Sequence, residues 1–231
     1  VICAAFACKQ SDRGASEPTV EEIRYTETEA RQFFEDSIAG PDDKEFTSEE
    51  FPRFLKRYYP ELQTRTRNAL IYAMEEPFVD TTKIDTAKQW FRVTVDPCFR
   101  KPYSIIVEKN SGKSSLTIKV TNGFGCQYPG VLALTTKFKF VGELYDTVAV
   151  KLKSLNFWAL GDDTTCHGGL DGEEWLIEAL DKGKYNAVYR WVPQHCGDST
   201  TRKLAGIVQH LAAESRLDAI LSAIGAPKSG L

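Results

Sequence analysis

The chain reads as an α+β protein with N-terminal helices, a central antiparallel sheet carrying two Cys-flanked hairpins, and C-terminal helices. Three observations predict this. Helix-period segments stand before and after a block of strand-period segments, without the alternation that makes a doubly wound parallel sheet. The 231 residues are 42 % hydrophobic and 11 % aromatic, enough apolar surface for a buried core. No solenoid-type repeat is present, and the two hairpins share geometry but little sequence. Residues 1–20 stand apart as a signal-like run and polar tether. Residues 21–231 form one domain, helical over 21–76 and mixed over 77–231.

The first helix is predicted over 30–39, where Thr26-x-x-Glu29 supplies a capping box and Gly40-Pro41 a stop. Phe51, Phe54, Leu55, Tyr58, Tyr59 and Leu62 recur at helical spacing along one apolar face, which reads as core. Thr47-x-x-Glu50 offers a second capping box with Phe46 and Phe51 as its staple. Pro52 would then remove an early intrahelical bond, so the start of this helix stays open. Pro60 interrupts it, and a separate helix over 62–74 ends before Pro77.

From Gln89 the period changes to two. Strands are predicted over 90–95, 103–109, 114–120 and 131–140, the last with Leu132, Leu134, Phe138 and Phe140 on one face. Asn110-Ser-Gly-Lys113 joins the middle two as a hairpin. A helix over 142–155 aligns Leu144, Val148, Leu152 and Leu155. A second hairpin, 173–180 and 185–192, turns at Asp181-Lys-Gly-Lys184, and helices over 201–214 and 216–224 close the domain at Gly225.

Setting aside Cys3 and Cys8 leaves Cys98, Cys126, Cys166 and Cys196, which permit three connectivities. Each hairpin has one cysteine just outside each of its free ends. Antiparallel pairing therefore joins Cys98 to Cys126 and Cys166 to Cys196. Each bridge closes a loop of about thirty residues, worth about 3.5 kcal/mol in the chain-entropy model.

The compartment is read from the N-terminus. Val1-Ile-Cys-Ala-Ala-Phe-Ala-Cys8, followed by a Ser-, Glu- and Pro-rich stretch, resembles a bacterial lipoprotein signal. The resemblance implies a lipid anchor on Cys8 and a domain facing the periplasm. The other reading of residues 1–7 is a disordered apolar tail. No stretch approaches the roughly 18 apolar residues of a membrane span. With 29 basic and 32 acidic residues, and no basic run beyond two, the footprint of a nucleic-acid binder is missing.

Gly168-Gly-Leu-Asp171-Gly-Glu-Glu-Trp175-Leu-Ile-Glu178, Gly183-Lys-Tyr185 and Arg190-Trp191-Val-Pro193 resemble a pattern of exported bacterial (lipo)proteins, L-D-G-x-x-W-x-x-E … G-x-Y … R-W-x-P. The resemblance spans about residues 90–195 and implies no particular activity. Physically, Asp171-Gly172 reads as a turn before the strand. Along that strand Trp175, Ile177 and Ala179 share one face, and Glu174, Leu176 and Glu178 the other. On its partner Tyr185, Ala187, Tyr189 and Trp191 oppose Asn186, Val188, Arg190 and Val192. Glu174 or Glu178 is expected to meet Arg190 across the hairpin as a structural ion pair, with a ligand-facing Arg190 as the sharper alternative.

Chemistry has little to build with. Cys166-His167 and His195-Cys196 bracket the second hairpin and together hold the donors of a Cys2His2 zinc site. Adjacent residues of an extended chain point to opposite sides, so a disulfide with two exposed histidines is the reading, and no metal is expected. Asp162, Asp163, Asp171, Glu173 and Glu174 lack the alternating spacing of a calcium loop and read as a solvated charge cluster. Nucleophile elbows, zincin helices and phosphate loops are absent from the sequence. The functional expectation is a non-enzymatic, lipid-anchored envelope protein without a cofactor. Its 161–173 loop, with candidate residues His167, Asp171, Glu174, Glu178, Arg190 and His195, would meet an envelope protein or wall component. The alternatives are a hydrolase with its site near His167, His195 and Asp171, and a Cys2His2 zinc-binding protein.

Overall fold

A computed structural model describes residues 19–21, 67–126, 128–140, 143–162, 172–195 and 198–224. Strand β1 is Thr19–Glu21 and helix α1 covers residues 67–73. Strands β2 (Gln89–Pro97), β3 (Tyr103–Asn110), β4 (Lys113–Thr121) and β5 (Leu132–Phe140) follow. Helix α2 (Leu144–Ser154) and a 3-10 turn, Phe157–Ala159, lead to β6 (Glu173–Asp181) and β7 (Lys184–Trp191). Helices α3 (Ser199–Glu214) and α4 (Leu217–Ala223) complete the order.

All strands pair antiparallel in one seven-stranded sheet ordered β1-β5-β4-β3-β2-β6-β7. The mixed α+β class is thus present. Strands β2 to β5 meander, and the chain then crosses back by way of α2 to lay β6 beside β2. Both hairpins turn as the sequence indicates. Ser111 and Gly112 lie at φ 50° and 77°, and Lys182 and Gly183 at 49° and 86°, the left-handed pairs that match strand twist.

Alternation along the strands makes one face the core. Phe91, Val93 and Val95 stand opposite Val107, Ile105 and Tyr103 on one side and Ala179, Ile177 and Trp175 on the other. All are fully buried, each worth about 1.5–3 kcal/mol for the larger side chains. Helix α2 covers them with Tyr145, Val148 and Leu152, α3 with Leu204, Ile207, Val208 and Leu211, and α4 with Leu217 and Leu221. Leu144 and Leu155 sit at the margin of this core, and Tyr145 fills the stripe more deeply than either. Asp198 caps α3, accepting from the N–H groups of Thr200 and Thr201 at 3.2 and 2.9 Å.

Cys98 and Cys126 form a disulfide, Cα atoms 4.8 Å apart, across the free ends of β3 and β4. Cys8, Cys166 and Cys196 lie outside the described residues, as do the helices expected over 30–39 and 51–62. Of the helical stretch expected over 21–76, the structure describes α1 and, at its start, Glu21 as the last residue of β1.

Candidate functional site at the disulfide-braced end of the sheet

The second face of the sheet is unusually polar. Arg92 on β2 stands directly opposite Glu178 on β6, and its Nε donates to Glu178 Oε2 at 2.7 Å. Its Nη1 donates to Glu76 Oε2 at 2.9 Å, and Lys119 Nζ lies 2.6 Å from Glu76 Oε1. The Tyr185 hydroxyl donates to the other oxygen of Glu178 at 2.7 Å, and the guanidinium lies 5.3 Å from the Trp90 ring centroid. Arg92 and Glu178 are buried. Burial alone would lower the Arg92 pKa, but Glu178 and Glu76 reverse this and hold it above its ordinary value.

Farther along the same face Asp96 opposes Glu174. Burial, then Glu174, pushes the Asp96 carboxyl up to about 7, while the Cys126 N–H donating to its Oδ1 at 3.3 Å opposes the shift. Burial likewise raises Glu174, with a Tyr189 hydrogen bond in opposition. Glu173 points the other way into the core side, where Arg100 Nη2 (2.9 Å), Trp175 Nε1 (3.0 Å) and Gln194 Nε2 converge on it. The expectation of a solvated acidic cluster is therefore corrected: Glu173 and Glu174 are drawn inward by strand pairing, and Asp162 alone of the described members is exposed, accepting from the Tyr189 N–H at 2.7 Å.

Arg190 is also corrected. It pairs in register with Trp175, on the face opposite Glu174 and Glu178, so the expected cross-hairpin ion pair does not form. Its side chain is 4 % exposed, with Nε donating to Thr201 Oγ1 at 3.2 Å and Nη1 to the carbonyls of Gly161 and Tyr189 at 3.0 and 2.7 Å. It ties α3 to the start of the 161–173 loop. His195 is exposed after β7, its N–H donating to Val192 O. His167 and Asp171 lie outside the described residues, as does most of the Cys2His2 set. Among the described residues no three His, Cys, Asp or Glu side chains are grouped to hold a metal ion.

The disulfide braces a surface the sequence reading did not single out. The Cys98 N–H donates to Gly172 O at 2.8 Å, the Gly125 N–H to Arg100 O at 2.8 Å, and the Phe99 N–H to Gly125 O at 3.3 Å. Gly125 is required there, because a Cβ would collide with Asp96 and the Pro97 carbonyl. On these clamped segments Phe99 and Phe124 are 58 % and 54 % exposed, and Phe99 takes a left-handed φ of 62°. Cys98, next to Phe99, is hydrogen-bonded to Gly172 at the start of β6, and Gly125, next to Phe124, is bridged to Cys98. Comparison with protein-family models, curated proteins and solved structures finds no match.

Proposed function

We propose that this chain is a non-enzymatic binding module of the bacterial cell envelope, anchored by lipid on Cys8, that grips a protein partner through Phe99, Phe124 and the adjoining 161–173 loop. One observation carries the reading: two largely exposed phenylalanines sit on segments clamped together by a disulfide and main-chain hydrogen bonds. A lone exposed apolar residue needs no explanation. Here one of the two also holds a strained backbone, and strain of this kind concentrates at functional positions. Rigid aromatic anchors lose little freedom on association and dominate interface energetics. A disulfide in this position also suits an oxidising compartment.

Photo-crosslinking in the membrane-anchored, full-length protein tests it, with the reactive residue placed at 99, at 124, or at the exposed control Val150 on α2. Positions 99 and 124 should capture the same protein, position 150 should not, and the Cys98→Ser/Cys126→Ser variant should lose the adduct. Equal capture at 150, adducts to wall material alone, or none at 99 and 124 would overturn the proposal.

A further inference from the structure

Helix α1 ends in a Schellman arrangement. The Glu76 N–H donates to Ile71 O at 3.0 Å and the Glu75 N–H to Tyr72 O at 2.9 Å, which places Glu75 in the left-handed position at φ 54°. Glycine is the residue that fits there without strain, so a glutamate calls for a reason. Beside this helix end lies a cavity of about 400 Å³, within the range of small-molecule sites. Tyr72, Ala73, Pro77, Val131 and Leu132 give it apolar walls, and Glu75 and Glu76 give it acid.

The charges around it do not balance. Glu76 is engaged at both oxygens, by Arg92 and Lys119, and Glu178 at both, by Arg92 and Tyr185. Lys119 Nζ also donates to the carbonyls of Met74 and Glu75, at 2.9 and 3.3 Å, which exhausts its three hydrogens. Arg67, two turns away along α1, lines a gap with Asp96 and Glu174 instead. Among the described residues three carboxylates thus face two cations, and the remaining negative charge belongs to Glu75. That residue is half-buried, and its Oε1 is occluded without a hydrogen-bond partner among the described residues.

We propose that this cavity binds a small organic cation, a primary ammonium on a short apolar body, with the ammonium paired to the Glu75 carboxylate and the body against Tyr72, Pro77, Val131 and Leu132. With one oxygen occluded, the carboxylate suits the point charge of an ammonium better than the two-pronged guanidinium, which pairs with both oxygens. Burial, the larger effect, together with Glu76 raises the Glu75 pKa against the pull of Lys119, and a bound cation relieves that cost. The site is independent of the partner surface at Phe99 and Phe124.

Calorimetric titration of the full chain with hexylammonium, 1-hexanol and hexanoate tests it. Hexylammonium should bind one to one, hexanol about tenfold more weakly or worse, and hexanoate not at all. Glu75→Gln should weaken the ammonium about tenfold or more, as should Glu75→Gly, which relieves the backbone and leaves the melting temperature unchanged or higher. That second variant separates loss of the site from loss of the fold. Equal binding of hexanol, undiminished ammonium binding in both variants, or no binding of hexylammonium would overturn the proposal.

Discussion

Asp96 and Glu174 face each other directly across β2 and β6, two carboxyl groups in register on a buried surface. Like charges opposite one another repel, and burial disfavours ionising either. With its folded pKa near 7, well above the usual 3.8, Asp96 binds a proton in the folded state that the unfolded chain has already released. Its contribution is full below about pH 4 and is lost as pH rises through about 7, a change on the order of 4 kcal/mol. Asp198, lowered mainly by the Thr201 N–H, acts oppositely and loses its contribution as pH falls below the usual carboxylate range. Urea unfolding should therefore show falling stability between pH 5 and 8. Asp96→Asn should flatten that slope, and an unchanged slope would place the titration elsewhere.

Arg92 is the hub of the buried network, so removing it leaves the buried Glu178 without a cation, held by the Tyr185 hydroxyl alone, while Glu76 keeps Lys119. Arg92→Met should cost about 3–5 kcal/mol at neutral pH, because an uncompensated buried charge is left behind. Adding Glu178→Leu should recover a large part of that loss. A double variant as unstable as the single one would show that packing, not charge, sets the cost.

For Arg190 the geometry changes the size of the expected effect. An exposed ion pair would be worth about 0–1 kcal/mol. A buried guanidinium that satisfies Thr201 and two carbonyls is worth more, and Arg190→Met should cost about 2–3 kcal/mol in chemical denaturation. A loss below 1 kcal/mol would mean that water replaces those contacts readily.

The parts of the fold legible in the sequence were those with local causes. Asn110-Ser-Gly-Lys113 and Asp181-Lys-Gly-Lys184 carry turn chemistry that sets both hairpins, and the Cys98–Cys126 bridge follows from the first of them. The position of Arg190 was legible as well, through register. Once Asp181 pairs with Lys184, partners always join an odd to an even residue number, so Arg190 must share a face with Trp175 and not with Glu174 or Glu178. The pairing of β2 with β6 left no such mark. Arg92 and Glu178 are 86 residues apart, and their meeting depends on a crossover that no local pattern encodes. Glu75 was hidden for a similar reason. Its carboxylate matters because Lys119, on a strand 44 residues away, is spent on neighbouring oxygens.

Nonreducing peptide mapping should recover Cys98 joined to Cys126. Cys166 should be joined to Cys196, since β6 and β7 pair in register out to Glu174 and Trp191, the hairpin ends outside which the two cysteines stand in the sequence. Replacing Cys98 and Cys126 by alanine should cost about 3.5 kcal/mol in the chain-entropy model. Any linkage between the two hairpins would contradict the register.

Phe99 gives the sharpest separation of stability from function. At φ 62° a phenylalanine costs about 1–2 kcal/mol relative to a residue without a Cβ, and its ring, 58 % exposed, regains little of that in the free protein. Phe99→Gly should therefore leave stability unchanged or raise it by about 0.5–1 kcal/mol, after the added freedom of the unfolded chain is counted. If the ring is an anchor, the same variant should weaken partner capture through position 124 by about 2 kcal/mol or more, roughly thirtyfold. Thermal unfolding and crosslinking yield from one preparation give both values. A destabilised Phe99→Gly with normal capture would mean that the ring packs for the fold itself and that the surface at Phe99 and Phe124 is not where a partner lands.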